Sequence, residues 1–311
     1  MPRSPQTNPE ETRRRRIVRP STMLASGGLA VTMLLATAPG AFAFITPEAG
    51  GSPNANSIDT LYKIVLYIGA IVFVVVEGAL GYACWKFSAK RNKVAKQIHG
   101  HTGLEIGWTL GAVAIVLVLA VATLLKLGSI RNPPNSSPEG ANASSVSGAL
   151  YADAENKLPP NKKALKITVI GRQYLWQYIY PGGAKDGLGA PYSYEQMVVP
   201  THTTVLLDAV SMDVVHSWWI PELGGKIQVV PGYHNYTWFK VEKPGLYRGQ
   251  CANICGQGHA RMIASVRAVS PAEYEAWIEN QKRKLSEANI AAAKQRHELE
   301  ETGGLESAVN Q

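Results

Sequence analysis

The stretch "QCANICGQGHARM", Gln250 to Met262, holds two thiols four residues apart, an imidazole four residues after the second thiol, and a thioether three residues beyond that. Cys251, Cys255, His259 and Met262 are all soft or borderline metal ligands. Three chemistries fit the spacing. In an exported protein a cysteine pair closes a disulfide, which leaves His259 and Met262 without a role. With one further imidazole, the two thiolates and His259 make a closed tetrahedral zinc set. Met262 points to copper instead, because thiolate, imidazole and a weak thioether are the donors of copper electron-transfer sites. The candidate second imidazole is His216 in "DVVHSWW", in a strand-to-turn context. His202, His234 and His297 read as surface residues, and Cys84 as a small buried hydrophobe.

Such ligands need a stiff scaffold. "ALKITVIGRQYLWQYIYPGG", "MVVPTHTTVLLDAVSMDVVHSWWIP", "HNYTWFKVEKPGLYRGQC" and "MIASVRAVS" alternate β-branched or aromatic residues with polar ones, broken by Pro-Gly and Gly-Gly turns. The pattern predicts an antiparallel β-sandwich or barrel over residues 151–270. A helix and then a polar tail follow over 271–311. Before the domain, residues 131–150, which begin "RNPPNSSPEGANASSVSG", read as a flexible linker.

Further upstream, Ile64 to Cys84 and Ile106 to Leu125 are apolar runs of about the ~20 residues that cross a bilayer. They predict a two-span hairpin within 44–130, with spans at about 62–86 and 105–127. The loop between them carries Lys86, Lys90, Arg91, Lys93 and Lys96 with no acid before Glu105, which places it in the cytoplasm and everything after the second span outside. A basic block from Arg13 to Arg16, the apolar Met23 to Thr37 and the small residues of "APGAFAF" read as a signal peptide, 1–43, cleaved after Ala43. The expected setting is a bacterial inner membrane, with the β-domain on the periplasmic side and lipid around the spans.

Hydrophobic residues are 46% and charged residues 17% of the chain, an average that hides this segregation. Taking the six bases and two acids of the leader out of the formal +8 leaves +4, less than the five charges of the cytoplasmic loop alone. The basic runs are therefore topology signals, and no nucleic-acid partner is expected. There is no internal repeat, no P-loop and no dinucleotide glycine motif. No Cys-x-x-Cys-His occurs, so no haem is expected on the chain.

The segments "SMDVVHSWWIPELGGK", "PG" and "PGLYRGQCANICGQGHARM" closely resemble subunit 2 of haem-copper cytochrome c oxidase, and the likeness extends over the two-span hairpin. The resemblance implies a membrane-anchored all-β protein whose exported cupredoxin domain holds a binuclear copper centre, CuA, with two coppers per chain. Cys251 and Cys255 would bridge both ions. His216 and His259 would form the imidazole pair, Met262 would ligate one copper, and Asn253 would give its backbone carbonyl. It implies a subunit of an oxidoreductase and proton translocase, not catalytic alone, which accepts electrons from cytochrome c and passes them to the haem of subunit 1. A membrane-tethered structural zinc domain or a copper carrier is the alternative.

The chain departs from the family pattern in places. Asn253 stands where the family has Glu, and Gln228 replaces an acid, so two oxygens that a magnesium ion at the subunit 1 interface would want are missing, and magnesium is not a firm cofactor. The family's electron-entry tryptophan falls at Tyr174. Trp176 matches a second aromatic, and alternation puts both on one strand face. Acids to greet a lysine-ringed cytochrome are sparse and scattered: Asp186, Glu195, Asp213 and Glu222. Glu105 resembles the family's glutamate at the mouth of a proton path, and reads equally as a helix cap. Glu77, inside the first span, is expected to face subunit 1, since an ionised acid in hydrocarbon costs ~2.5–3.5 kcal/mol.

Overall fold

The computed structural model of the protein describes residues 50–92, 94, 97, 99–142, 158–182 and 189–301. The expected signal peptide and the polar end of the tail lie outside the described residues.

Two long helices come first, α1 (Pro53–Lys86) and α2 (Thr102–Arg131), with mean hydropathy of 2.4 and 2.6 in their most apolar windows. Most of their valines, leucines and isoleucines are exposed, as in helices solvated by lipid or by other spans, apart from half-buried residues such as Ile64 and Leu119. α1 begins nine residues before the expected span. Pro53 at its first position fixes a helical φ, and the polar turn after it is helical because it is anchored. At 1.5 Å per residue α1 is about 50 Å long against about 30 Å of hydrocarbon, so its first turns stand clear of the apolar layer. There Asn54, buried, donates from Nδ2 to Trp238 O at 2.8 Å, and Ser52 Oγ accepts from Lys240 N at 3.1 Å. Ser57 and Ser129 hydroxyls meet at 3.0 Å and join the outer ends of the two helices. Cys84 is exposed on α1, not buried as the sequence suggested.

After α2 the chain does not run free. Residues 132–142 lie along the β-domain: Thr204 Oγ1 donates to Pro134 O at 2.6 Å, Thr204 N to Ser136 Oγ at 3.0 Å, and Ala141 N to Thr203 Oγ1 at 3.0 Å. The Ser, Thr and Asn side chains that suggest a solvated linker instead satisfy backbone groups where the next sheet begins.

Among the described residues the β-domain has ten strands: β1 (Leu165–Arg172), β2 (Leu175–Ile179), β3 (Tyr192–Tyr194), β4 (Gln196–Pro200), β5 (Thr204–Ser211), β6 (His216–Trp218), β7 (Ile227–Val229), β8 (Asn235–Lys240), β9 (Gly245–Gln250) and β10 (Ile263–Val269). A five-stranded sheet has the order β3-β2-β1-β5-β8, a three-stranded sheet the order β4-β10-β9, and β6 pairs with β7. Most neighbours are antiparallel as expected, but β1 with β5 and β4 with β10 are parallel. Alternation decides the core: β1 reads buried, half-buried along its length, turning Leu165, Ile167 and Val169 inward. They meet Met197 and Val199 of β4, Val266 of β10 and the ring of Trp218 in one cluster. A final helix, α3 (Pro271–Glu301), packs only its first turns, where Trp277 lies edge-on to Tyr180 at 4.9 Å.

Candidate metal centre

One end of this sandwich gathers the chemistry. β6 carries His216, and the connection between β9 and β10 carries Cys251, Asn253, Cys255, His259 and Met262. The connection is closed at its base by Cys251 N donating to Met262 O at 2.9 Å, and tied to β6 by Ala252 N donating to Ser217 O at 2.9 Å. Gly256 has φ +134°, which only glycine adopts without strain, and a short helical turn, His259–Arg261, returns the chain to β10.

The six predicted ligands converge. Cys251 Sγ lies 4.0 Å from Cys255 Sγ, 3.9 Å from His216 Nδ1 and 3.2 Å from Asn253 O. Cys255 Sγ lies 3.6 Å from His259 Nδ1 and 3.9 Å from Met262 Sδ. Metal–sulfur and metal–nitrogen bonds of about 2.0–2.3 Å set tetrahedral ligands on one ion roughly 3.3–3.8 Å apart, so these separations suit donors sharing an ion. Both thiols are free. His216, Cys251, Cys255 and Met262 are buried and His259 is half-buried, which leaves the donors little water to bind.

The electrostatics favour a thiolate. Burial opposes ionisation of Cys251, but the His216 ring, the Ser217 and Asn253 backbone and His259 outweigh it and hold the thiol down to about 6. Burial and then the Cys251 charge push Cys255 up to about 11. One thiolate is therefore ready at neutral pH, and the second proton leaves when a cation replaces it. Burial works against a charged His216, yet its bonds to Cys251 and Asp213 raise its pKa overall.

Three supporting residues were missed in the sequence. Asp213 Oδ1 lies 2.9 Å from His216 Nε2, fixing the ring so that Nδ1 faces the sulfurs. An acid three residues before a candidate histidine ligand in "DVVH" was the available signal. Gln173 Nε2 donates to Cys255 O at 2.5 Å, and Arg261 stacks over the Tyr174 ring at 5.6 Å; nothing local in the sequence marks either.

Tyr174 and Trp176 do not share a face. Gln173 and Tyr174 form the turn between β1 and β2, which takes Tyr174 out of the pleat. Its half-buried ring covers the metal loop so closely that a Cβ on Gly258 would lie 2.4 Å from it. Trp176 is wholly buried, edge-on to His216 at 5.8 Å, so it has no surface to offer a docking partner. Glu105 is an exposed cap: His101 N donates to its Oε1 at 3.4 Å while Leu104 N donates to His101 Nδ1 at 3.1 Å. Glu77 is exposed on α1 among apolar neighbours. Both acids are far along the helices from the metal loop.

Fold and site together define a membrane-anchored β-domain with a buried thiolate–imidazole–thioether cluster, a class built for holding a redox metal. The comparisons agree. Residues 191–269 match the family model "Cytochrome C oxidase subunit II, periplasmic domain" and residues 42–126 match "Cytochrome C oxidase subunit II, transmembrane domain". Cytochrome c oxidase subunit 2 of Cereibacter sphaeroides is 31% identical over 294 residues, covering 82% of this chain and 88% of that one. The subunit 2 of Alkalihalophilus pseudofirmus is 29% identical over 245 residues, 78% of this chain, which spans 64% of that relative's length. Among solved structures, the periplasmic domain of subunit II of cytochrome oxidase of Bradyrhizobium japonicum is 32% identical over 39% of this chain and 95% of that one, with a TM-score of 0.36. The chain belongs to the cytochrome c oxidase subunit 2 family, and it is membrane-anchored with its C-terminal domain outside.

Proposed function

We propose that the chain is the electron-accepting subunit of a haem-copper oxidase, taking single electrons from cytochrome c outside the membrane and passing them to the haem of subunit 1, where oxygen is reduced and protons are moved. The observation that carries the reading is the convergence, from β6 and the β9–β10 connection, of two free thiols, two imidazoles, a thioether and one backbone carbonyl within 4.0 Å steps. When bound, a pair of copper ions would supply a one-electron couple whose charge is spread over both. Cys251 and Cys255 would hold both ions, with His216, His259, Met262 and the Asn253 carbonyl completing the set. Asp213 orients His216, the Cys251–Met262 backbone bond holds the loop closed, and burial keeps water off the donors, so the ligands move little when the charge changes.

A structural zinc domain gives no reason for Met262, a thioether only 1% exposed and turned onto Cys255. A carrier wants exchangeable ligands, whereas these are buried and braced by Asp213, Gln173 and Tyr174. The chain's own residues do not suit magnesium. Register puts Gln228 opposite Ser217, beside the Asn253 corner, and the Asn253 amide is already donating to Val215 O at 3.1 Å. Neither side chain brings a carboxylate. Glu77 facing subunit 1 and Glu105 at a proton entry complete the proposal.

The test is stopped-flow mixing of the purified oxidase with reduced cytochrome c. Reduction of the copper band before haem reduction, abolished in Cys251→Ser, supports the reading; haem reduction at the unchanged rate in that variant removes it.

A further inference from the structure

Three loops meet around the metal cluster: the β1–β2 turn at 172–174, the 212–215 segment before β6, and 252–262. Their contact is direct, through Gln173 N to Asp213 Oδ2 at 2.7 Å, Gln173 Nε2 to Cys255 O, and Asn253 Nδ2 to Val215 O. Together they present an apolar surface. Ile254, between the two thiols in sequence, is 86% exposed, Met212 is 61% and Val214 is 38% exposed, and the Tyr174 ring continues the patch over Gly256 and Gly258. An isoleucine that open, on a loop otherwise held in place, serves contact with another molecule better than it serves this fold.

Among the described residues, those loops carry a net positive charge. The three loops carry two guanidiniums, Arg172 and Arg261, both exposed and neither in an ion pair among the described residues. Their one acid is Asp213, 31% exposed, whose two oxygens are engaged by His216, Val214 N and Gln173 N. On other elements, Glu195 is exposed at the β3–β4 corner beside Ser265, and Glu222 is half-buried in the turn after β6.

Resting on the reading of this site as an electron acceptor, we infer that the docking surface of this chain is an apolar patch rimmed by Arg172 and Arg261, fitted to a one-electron donor protein whose own redox edge is apolar and rimmed by carboxylates. The donor loses one electron and the metal site gains one; no bond or proton changes hands. Ile254, Met212 and Val214 supply the desolvated contact, and the two arginines supply orientation and encounter rate. A donor ringed by lysines meets like charge here and gains no steering.

The experiment is stopped-flow reduction of the intact oxidase by two small cytochromes c, one carboxylate-ringed and one lysine-ringed. Salt is raised from about 0.01 M to about 0.1 M, over which the screening length falls from about 30 to about 10 Å. The carboxylate-ringed donor is expected to react faster at low salt and to slow about tenfold across the series. Arg172→Glu is expected to reverse that order while the copper spectrum stays as it is. Arg172 lies outside the metal loop, so this variant leaves Arg261 and the Tyr174 ring in place. Faster, salt-sensitive reaction with the lysine-ringed donor overturns the inference and leaves the electron-acceptor reading intact, as do rates indifferent to Arg172, the result if another subunit covers the patch. No reduction by either donor at any salt, with copper bound, sinks the electron-acceptor reading itself and this surface with it.

Discussion

Replacing Gly258 by alanine places a methyl group inside the Tyr174 ring, since a Cβ there lies 2.4, 2.5 and 2.8 Å from three ring atoms. Gly258 has φ −90°, open to alanine, so steric overlap is the whole effect. Carbon atoms rest at about 3.5–4.0 Å, so ring and loop must part by roughly 1 Å. The ring has little room to retreat, because Arg261 lies over it and the preceding Gln173 is bound to Asp213 and to Cys255. Overpacking of this kind costs about 1–3 kcal/mol. For a domain of this size, between about 100 and 150 residues, each kcal/mol moves the midpoint by roughly 3–5 °C. The assay is the temperature at which the copper-loaded full chain, in detergent, loses its visible absorption. Tyr174→Ala removes the obstacle, so Gly258→Ala added to it is expected to cost almost nothing, a coupling of about 1–3 kcal/mol between the two sites. Equal shifts from Gly258→Ala with and without the ring refute the claim that Tyr174 braces the metal loop.

Removing the brace on His216 is a second perturbation: Asp213→Ala is expected to weaken copper binding about 10–100-fold, read by competition with a chelator. Its carboxyl titrates below the ordinary aspartate range despite burial, because His216 and the Gln173 and Val214 backbone bond it. A depressed folded pKa means stability that is present above the unfolded aspartate range and lost as pH falls through the lower folded value. Acid unfolding of the metal-free chain is therefore expected to be shallower in Asp213→Asn, and identical acid limbs would contradict that. At the other end of the domain, Asn54→Ala strands the Trp238 carbonyl, a cost of about 1–3 kcal/mol, and faster amide exchange in β8 is the measurement. Trp176→Phe is expected to perturb the His216 environment in the copper spectrum and leave the donor's association rate unchanged, since the indole has no exposed surface.

The metal loop was legible because its chemistry is local: four of the side-chain ligands fall in one stretch that a single backbone bond closes. The spans were legible because hydrocarbon demands a continuous apolar run. What failed were inferences that needed tertiary partners. Polar residues at 53–57 and 132–142 read as span flank and linker, yet one is helical because Asn54 reaches Trp238, and the other is ordered because Thr203 and Thr204 bind it. Period-two alternation joined Tyr174 to Trp176, but a turn at 173–174 intervenes and sends one ring over the metal loop and the other into the core. The parallel pairing of β1 with β5 and of β4 with β10 carries no signature in a sequence whose strands are short and amphipathic.

The electron-acceptor reading requires a pair of coppers sharing one electron at Cys251 and Cys255. Its most direct test is an electron paramagnetic resonance spectrum of the purified full chain, with copper quantified per chain. Two equivalent copper nuclei split the signal into seven lines, so a seven-line hyperfine pattern at two coppers per chain, lost in Cys251→Ser, is expected. A four-line pattern, or silence in a fully metal-loaded sample, would contradict it and return the site to a single copper or to zinc.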